Sequence, residues 1–207
     1  MLLCLSGIGH DRALHAAALL IKQGAEALVS WGVAGGLNEG LHSGDIIIAD
    51  KIISNDNEYP CSAHWQEQCL IHLSSDSYRI VSSSIYSDEI ICSSPRDKVK
   101  LHQQSGADAV DMESAAIAGL AKEMELDFIA IRTICDEAIA AIPAAVIKHT
   151  DHLGKPKPIS FVLSCIFNPA QIPSLLILAR AFKKAINTMK LIAPDLKDRH
   201  FLYNMQP

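Results

Sequence analysis

Leu2-Leu3-Cys4-Leu5 runs directly into Ser6-Gly7-Ile8-Gly9, and the fold class turns on this junction. Four apolar residues read as a short buried strand, and the glycines allow a tight turn after it. Asp11 is placed to cap a helix through Ala13, Leu14, Ala17, Leu20 and Ile21, which stops at Gly24. Residues 27–30 read as a second strand, opening into the loop Trp31-Gly32-Val33-Ala34-Gly35-Gly36. Strand, glycine turn, helix and strand compose a βαβ unit with a parallel strand pair.

Further along, Gly44-Asp45 leads into Ile46-Ile47-Ile48-Ala49, a continuous apolar run expected of a strand buried on both faces. From residue 54 to about 94 the chain is polar and Ser-rich, so short strands, 78–82 among them, and long surface connections are expected. Residues 107–110 return to strand character, and Asp111-Met112-Glu113-Ser114 starts a helix through Met124. Residues 128–134 form the next buried strand, ending at Cys135-Asp136-Glu137. This rhythm predicts an α/β fold with a mostly parallel or mixed central sheet flanked by helices. The final quarter differs: a stiff linker at 154–158, a short apolar helix at 159–167, and a longer helix from near Pro173. On that helix Leu175, Leu178, Phe182, Ile186 and Met189 fall on one face. Residues 1–207 are expected to form a single domain, with 153–207 as its helical extension.

Composition narrows the function. Of the 207 residues, 49% are apolar and 20% charged, which is globular rather than disordered. The net charge is -5 with no basic stripe, which argues against nucleic acid as a partner. The six cysteines form no CxxC pair and several sit in apolar runs, so reduced thiols in the cytoplasm are expected. The apolar start at residues 1–5 is too short for a signal peptide, and no run reaches the length of a spanning helix.

Four segments fall at strand ends, where ligands collect in parallel α/β sheets. In the first, Gly7 and Gly9 let backbone approach an anion at a helix N-terminus, and Arg12 adds a phosphate-matching fork. A plain strand-to-helix turn explains the same residues. In the second, Val33-Ala34-Gly35 can bring backbone against a flat base, or simply make a sharp turn. In the third, a carboxylate from Asp111 or Glu113 can hold ribose hydroxyls beside an apolar Met112, or merely cap the helix. In the fourth, Asp136 can act as an acid in a semi-buried cleft, or merely cap the segment after Glu137.

Order and spacing together go further. Ser6–Gly9, Gly32–Leu37, Val110–Glu113 and Ile131–Asp136 resemble the four successive motifs of the purine nucleoside phosphorylase and methylthioadenosine nucleosidase superfamily. The resemblance implies cleavage of the N-glycosidic bond of an adenine nucleoside. It implies Asp136 at adenine N7, Glu113 on the ribose hydroxyls and Met112 against the sugar. Val33, Ala34 and Gly35 would lie at the base, and Gly7, Gly9 and Arg12 at phosphate or water. No metal or organic cofactor is implied, with phosphate as co-substrate. His149, Asp151 and His152 then read as a solvated loop rather than a metal site.

Relative to that family the chain starts at the strand preceding Ser6, after the family's first strand and its nucleophile-handling loop. Val33 stands where nucleosidases commonly carry a small hydroxyl residue, which favours phosphorolysis over hydrolysis. Asp97-Lys98, Ser105-Gly106-Ala107 and the Pro-interrupted tail to Lys190 resemble the hopanoid-associated branch, implying adenine release from adenosylhopane. Self-association is expected from the fold's relatives. The C-terminal helix, with Arg180, Lys183 and Lys184, either packs on the sheet or meets a membrane surface or lipid tail.

Overall fold

The computed structural model describes residues 1–55, 57–73, 77–89, 92–143, 146 and 172–197. In chain order the elements are α1 (His10–Lys22), β1 (Ala27–Gly36), β2 (Ile46–Ser54), β3 (Asn57–Pro60), α2 (Ala63–His72), β4 (Ile80–Ser87), α3 (Pro95–Ser105), β5 (Ala109–Asp111), α4 (Ser114–Glu123), β6 (Asp127–Asp136) and α5 (Ile172–Ile192), followed by a 3-10 turn at Asp195–Lys197. The strands form one mixed sheet in the order β3-β2-β4-β5-β1-β6, and a further β2–β6 pairing closes five of them into a ring.

The ring explains where the core sits. Ile46, Ile47, Ile48 and Ala49 are fully buried, as expected for a strand covered on both faces. On β6, Ile129, Ala130, Ile131 and Ile134 are equally buried. Helix α4 turns Ala115, Ala116, Ala118 and Ala121 inward, and these short side chains let it lie close to its neighbours.

Several local expectations are corrected. Residues 2–5 form no strand; Leu3 and Leu5 are 79% and 88% exposed. The parallel partner of β1 is instead β6, aligned from Ala27↔Asp127 through Ala34↔Ile134. An apolar tetrapeptide without a hydrogen-bonding neighbour has nothing to make it a strand. Asp11 does not cap α1, because the cap position falls on Gly9, with no side-chain bond. The stretch 31–36 is not a loop but the second half of β1, held by the same parallel ladder through Gly35 and by antiparallel pairing of Gly35 and Gly36 with β5. The polar stretch from 54 to 94 also contains helix α2, not only short strands and connections, and helix α3 follows it directly. Helix α3 has clear local causes: Ser94 Oγ accepts from the Asp97 amide at 3.1 Å, Pro95 opens the first turn, and Gly106 at φ 70 closes the last.

Helix α5 packs on β6 and β1. Its buried residues are Ala185, Thr188 and Ile192, while Leu175, Leu178, Ile186 and Met189 are half-buried and Phe182 is 46% exposed. The docking face is therefore rotated from the large-residue stripe toward smaller side chains. A Cβ on Gly44 would stand 3.0 Å from Lys184 Cε and 3.2 Å from Thr188 Oγ1, so the glycine makes the close approach possible. The expected linker at 154–158, the helix at 159–167, and His149, Asp151 and His152 lie outside the described residues. No helix among the described residues is long and apolar enough to cross a membrane.

Candidate active site

The junction from β5 to α4 resolves the ambiguity between Asp111 and Glu113. Asp111 does the capping: its Oδ1 accepts from the amides of Ser114 (3.1 Å) and Glu113 (3.3 Å), and Ser114 Oγ donates to Oδ2. Arg132 on β6 donates Nε–H to the same carboxylate at 2.6 Å, and its Nη2 reaches Ser30 Oγ at 2.7 Å and Ser114 Oγ at 3.0 Å. Burial alone would push the Asp111 carboxyl up. The Arg132 charge and the Ser114 and Ser87 hydrogen bonds together hold it below the ordinary carboxylate value. Asp111 is thus committed to structure, and Glu113 is left for other work.

Glu113 reaches the start of α1, where its Oε1 accepts from the Gly9 amide at 2.9 Å. This one bond joins two predicted segments that lie 104 residues apart in sequence. Burial raises the Glu113 carboxyl above its ordinary value; Arg132 opposes the rise, Asp111 adds to it, and the Gly9 N–H opposes it. Gly7 (φ 81) and Gly9 (φ 104) both hold left-handed backbone, so an L side chain at either would be strained. Arg12 sits exposed in the first turn of α1, and Met112 is half-buried beside Glu113.

The other two segments meet at the far end of β1. The β1–β6 register shifts between Ala34 and Gly35, so that Gly35 pairs with Asp136. A Cβ on Gly35 would lie 3.1 Å from Asp136 Oδ2, 3.3 Å from Oδ1 and 3.4 Å from Val110 Cγ1. The glycine is there to let backbone touch a carboxylate. Val33 is half-buried, whereas the Ala34 side chain is buried in the core, so Ala34 has only backbone to present to a ligand. The carboxylate of Asp136 is 5% exposed and forms an ion pair with Lys98, which is fully buried. Cys135 Sγ lies 3.2 Å from Asp136 Oδ1, and burial, reinforced by the Asp136 charge, keeps that thiol well above its ordinary value.

Lys98 and the structural part of Arg132 escaped sequence reasoning. A signal for Lys98 existed: on α3 it lies three residues before the half-buried Leu101, on the inward stripe of a Ser-Pro-capped helix. Among the described residues no group of three His, Cys, Asp or Glu side chains is placed to hold a metal ion.

Residues 1–155 match the family model of the phosphorylase superfamily. The chain belongs to that superfamily. All four segments of the site lie within the matched residues, and α5 lies beyond them. Among curated superfamily relatives, the 5'-methylthioadenosine/S-adenosylhomocysteine nucleosidase of Thermotoga maritima is 31% identical over 135 residues, covering 61% of this chain and 60% of the relative. The DeoD-type purine nucleoside phosphorylase of Streptococcus thermophilus is 26% identical over 139 residues, covering 61% and 58%. The chain thus spans about 60% of the length of these relatives. The superfamily fold recurs in a crystal structure of the 5'-methylthioadenosine/S-adenosylhomocysteine nucleosidase from Helicobacter pylori with butyl-thio-DADMe-Immucillin-A. The match has a TM-score of 0.64 at 17% identity, over 92% of this chain and 78% of that one.

Proposed function

We propose that this protein cleaves the N-glycosidic bond of an adenine nucleoside. One observation carries the reading: a single fold brings two carboxylates, Glu113 and Asp136, each against glycine backbone, at Gly9 and Gly35. Cleavage breaks the bond between ribose C1′ and adenine N9, and the electron pair leaves with the base. Asp136 steadies that base by a hydrogen bond at N7. Glu113 holds the ribose hydroxyls as carboxylate, exchanging its Gly9 contact for the sugar, and Met112 packs against it. Val33, Ala34 and Gly35 border the base. Electrostatic groups of this kind contribute about 3 kcal/mol each to the transition state.

The nucleophile in this reading is phosphate. Gly7 and Gly9 precede the N-terminus of α1, whose free amides and dipole favour an anion, and Arg12 adds a cation in the first turn. Hydrolysis is the second reading, favoured by the 31% identity to a nucleosidase. The finer substrate is adenosylhopane, on the strength of the resemblance in the tail and the exposed Leu176, Ile177 and Phe182 of α5. The protein then acts as a self-associating cytoplasmic enzyme that uses no metal or organic cofactor.

Adenine release from an adenosine-type nucleoside, measured with and without phosphate, tests the proposal. Phosphate-dependent release supports phosphorolysis, and release without phosphate moves the reaction to hydrolysis. Absence of release under both conditions, with adenosylhopane included, sinks the enzymatic reading. Competition between adenosylhopane and methylthioadenosine then decides the 5′ group.

A further inference from the structure

Lys98 has no part in the chemistry above, yet it is among the most deeply buried side chains of the protein, at 0% exposure. A buried ammonium is unfavourable by several kcal/mol unless its protons are matched. Here they are: Nζ donates to Asp136 Oδ2, to the Glu137 carbonyl at 2.8 Å and to the Ala140 carbonyl at 3.2 Å. Three donors meet three acceptors, so Lys98 has none left for a ligand. All three acceptors belong to the end of β6 and the turn after it, 38 to 42 residues downstream. The helix that carries Lys98 is closed at both ends, by Ser94 and Gly106, and makes a rigid anchor.

We propose that Lys98 is a positioning residue for Asp136 and, through it, a determinant of which purine the site accepts. The inference rests on the function proposed above. Lys98 fastens Oδ2 and leaves Oδ1, which among the described residues is met only by the weak donor of the Cys135 thiol at 3.2 Å. A carboxylate held in this way is an acceptor. It takes an N–H from a 6-amino group, and it repels the lone pairs of a 6-oxo group. The ion pair therefore selects 6-aminopurine over 6-oxopurine nucleosides.

The test compares the wild type with Lys98→Met and Lys98→Gln on adenosine and inosine, alongside Asp136→Asn and the double variant Lys98→Met/Asp136→Asn. Wild-type adenine release checks the underlying function separately from the role of Lys98. Lys98→Met is expected to lower kcat on adenosine by roughly 100-fold with a smaller change in KM. It should also shrink the adenosine-to-inosine ratio, because a carboxyl freed of its cation can donate to a 6-oxo group. Adding Lys98→Met to Asp136→Asn should change kcat little further. Lys98→Gln keeps a donor without the charge and serves if the Met variant does not fold; it should shrink the same ratio. A folded Lys98 variant with an unchanged adenosine-to-inosine ratio and kcat overturns the proposal, as does a double variant whose losses simply multiply. If the wild type releases no adenine, the function falls, and adenine and hypoxanthine titrations of the same variants decide the role of Lys98 by the same ratio.

Discussion

Arg132 donates to Asp111 Oδ2 at 2.6 Å with 3% and 1% of the two side chains exposed, which makes this pair the buried hinge between β6 and the start of α4. Its loss leaves a charge stranded in the core. Arg132→Met is expected to destabilise the protein by about 3–5 kcal/mol, whereas Arg132→Met with Asp111→Asn should recover part of that loss. Urea unfolding of both single variants and the double variant measures it, and a double-variant loss equal to the sum of the two single losses would show that the pair is not coupled.

The two neighbouring carboxyls titrate with opposite effects on stability. Asp111 lies below its ordinary value when folded, so its contribution is present above the unfolded value and is lost as pH falls through the folded one. Glu113 lies above its ordinary value, so its contribution is present below the unfolded value and is lost as pH rises through the folded one. Glu113→Gln should therefore stabilise the protein at neutral pH while abolishing ribose-dependent turnover. Melting curves at pH 7 check the sign, and a Glu113→Gln protein less stable than wild type contradicts it.

Asp136→Asn keeps the shape of the side chain and removes its charge. Turnover should drop by about 100-fold or more while nucleoside binding survives. Single-turnover adenine release and calorimetric binding separate the two effects. Loss of binding with an unchanged rate on the residual complex would assign Asp136 to ground-state recognition alone.

Gly35 is tight against a pinned neighbour. Gly35→Ala places a methyl 3.1 Å from Asp136 Oδ2, and that carboxylate cannot retreat while Lys98 holds it. The expected result is about 1–3 kcal/mol of strain together with a lowered kcat/KM. Wild-type stability and kinetics in this variant would mean that the Asp136 carboxylate moves freely.

Burial pushes the Cys61 and Cys69 thiols up to about 12, so both are protonated and unreactive at neutral pH. Cys4 is exposed. Brief alkylation of the native protein followed by peptide mapping should label Cys4 and spare Cys61, Cys69 and Cys135 until denaturant is added. Early labelling of Cys69 would contradict the packing around α2.

The four candidate segments stood out only together, by their order and spacing; the fold class, the doubly buried strand at Ile46–Ala49 and helix α4 were legible directly in the amino-acid sequence. These are written in local periodicity and turn chemistry, which need no distant partner. Tertiary contacts were needed to establish that Asp111 caps while Glu113 reaches Gly9, that residues 31–36 are strand, and that residues 2–5 are not. The same holds for the ion pair of Lys98, which forms only when its helix is set against the end of β6. Strand pairing and ion pairing depend on groups that another part of the chain supplies. An apolar run without a ladder stays irregular, and a lysine meeting a carboxylate and two carbonyls can be fully buried.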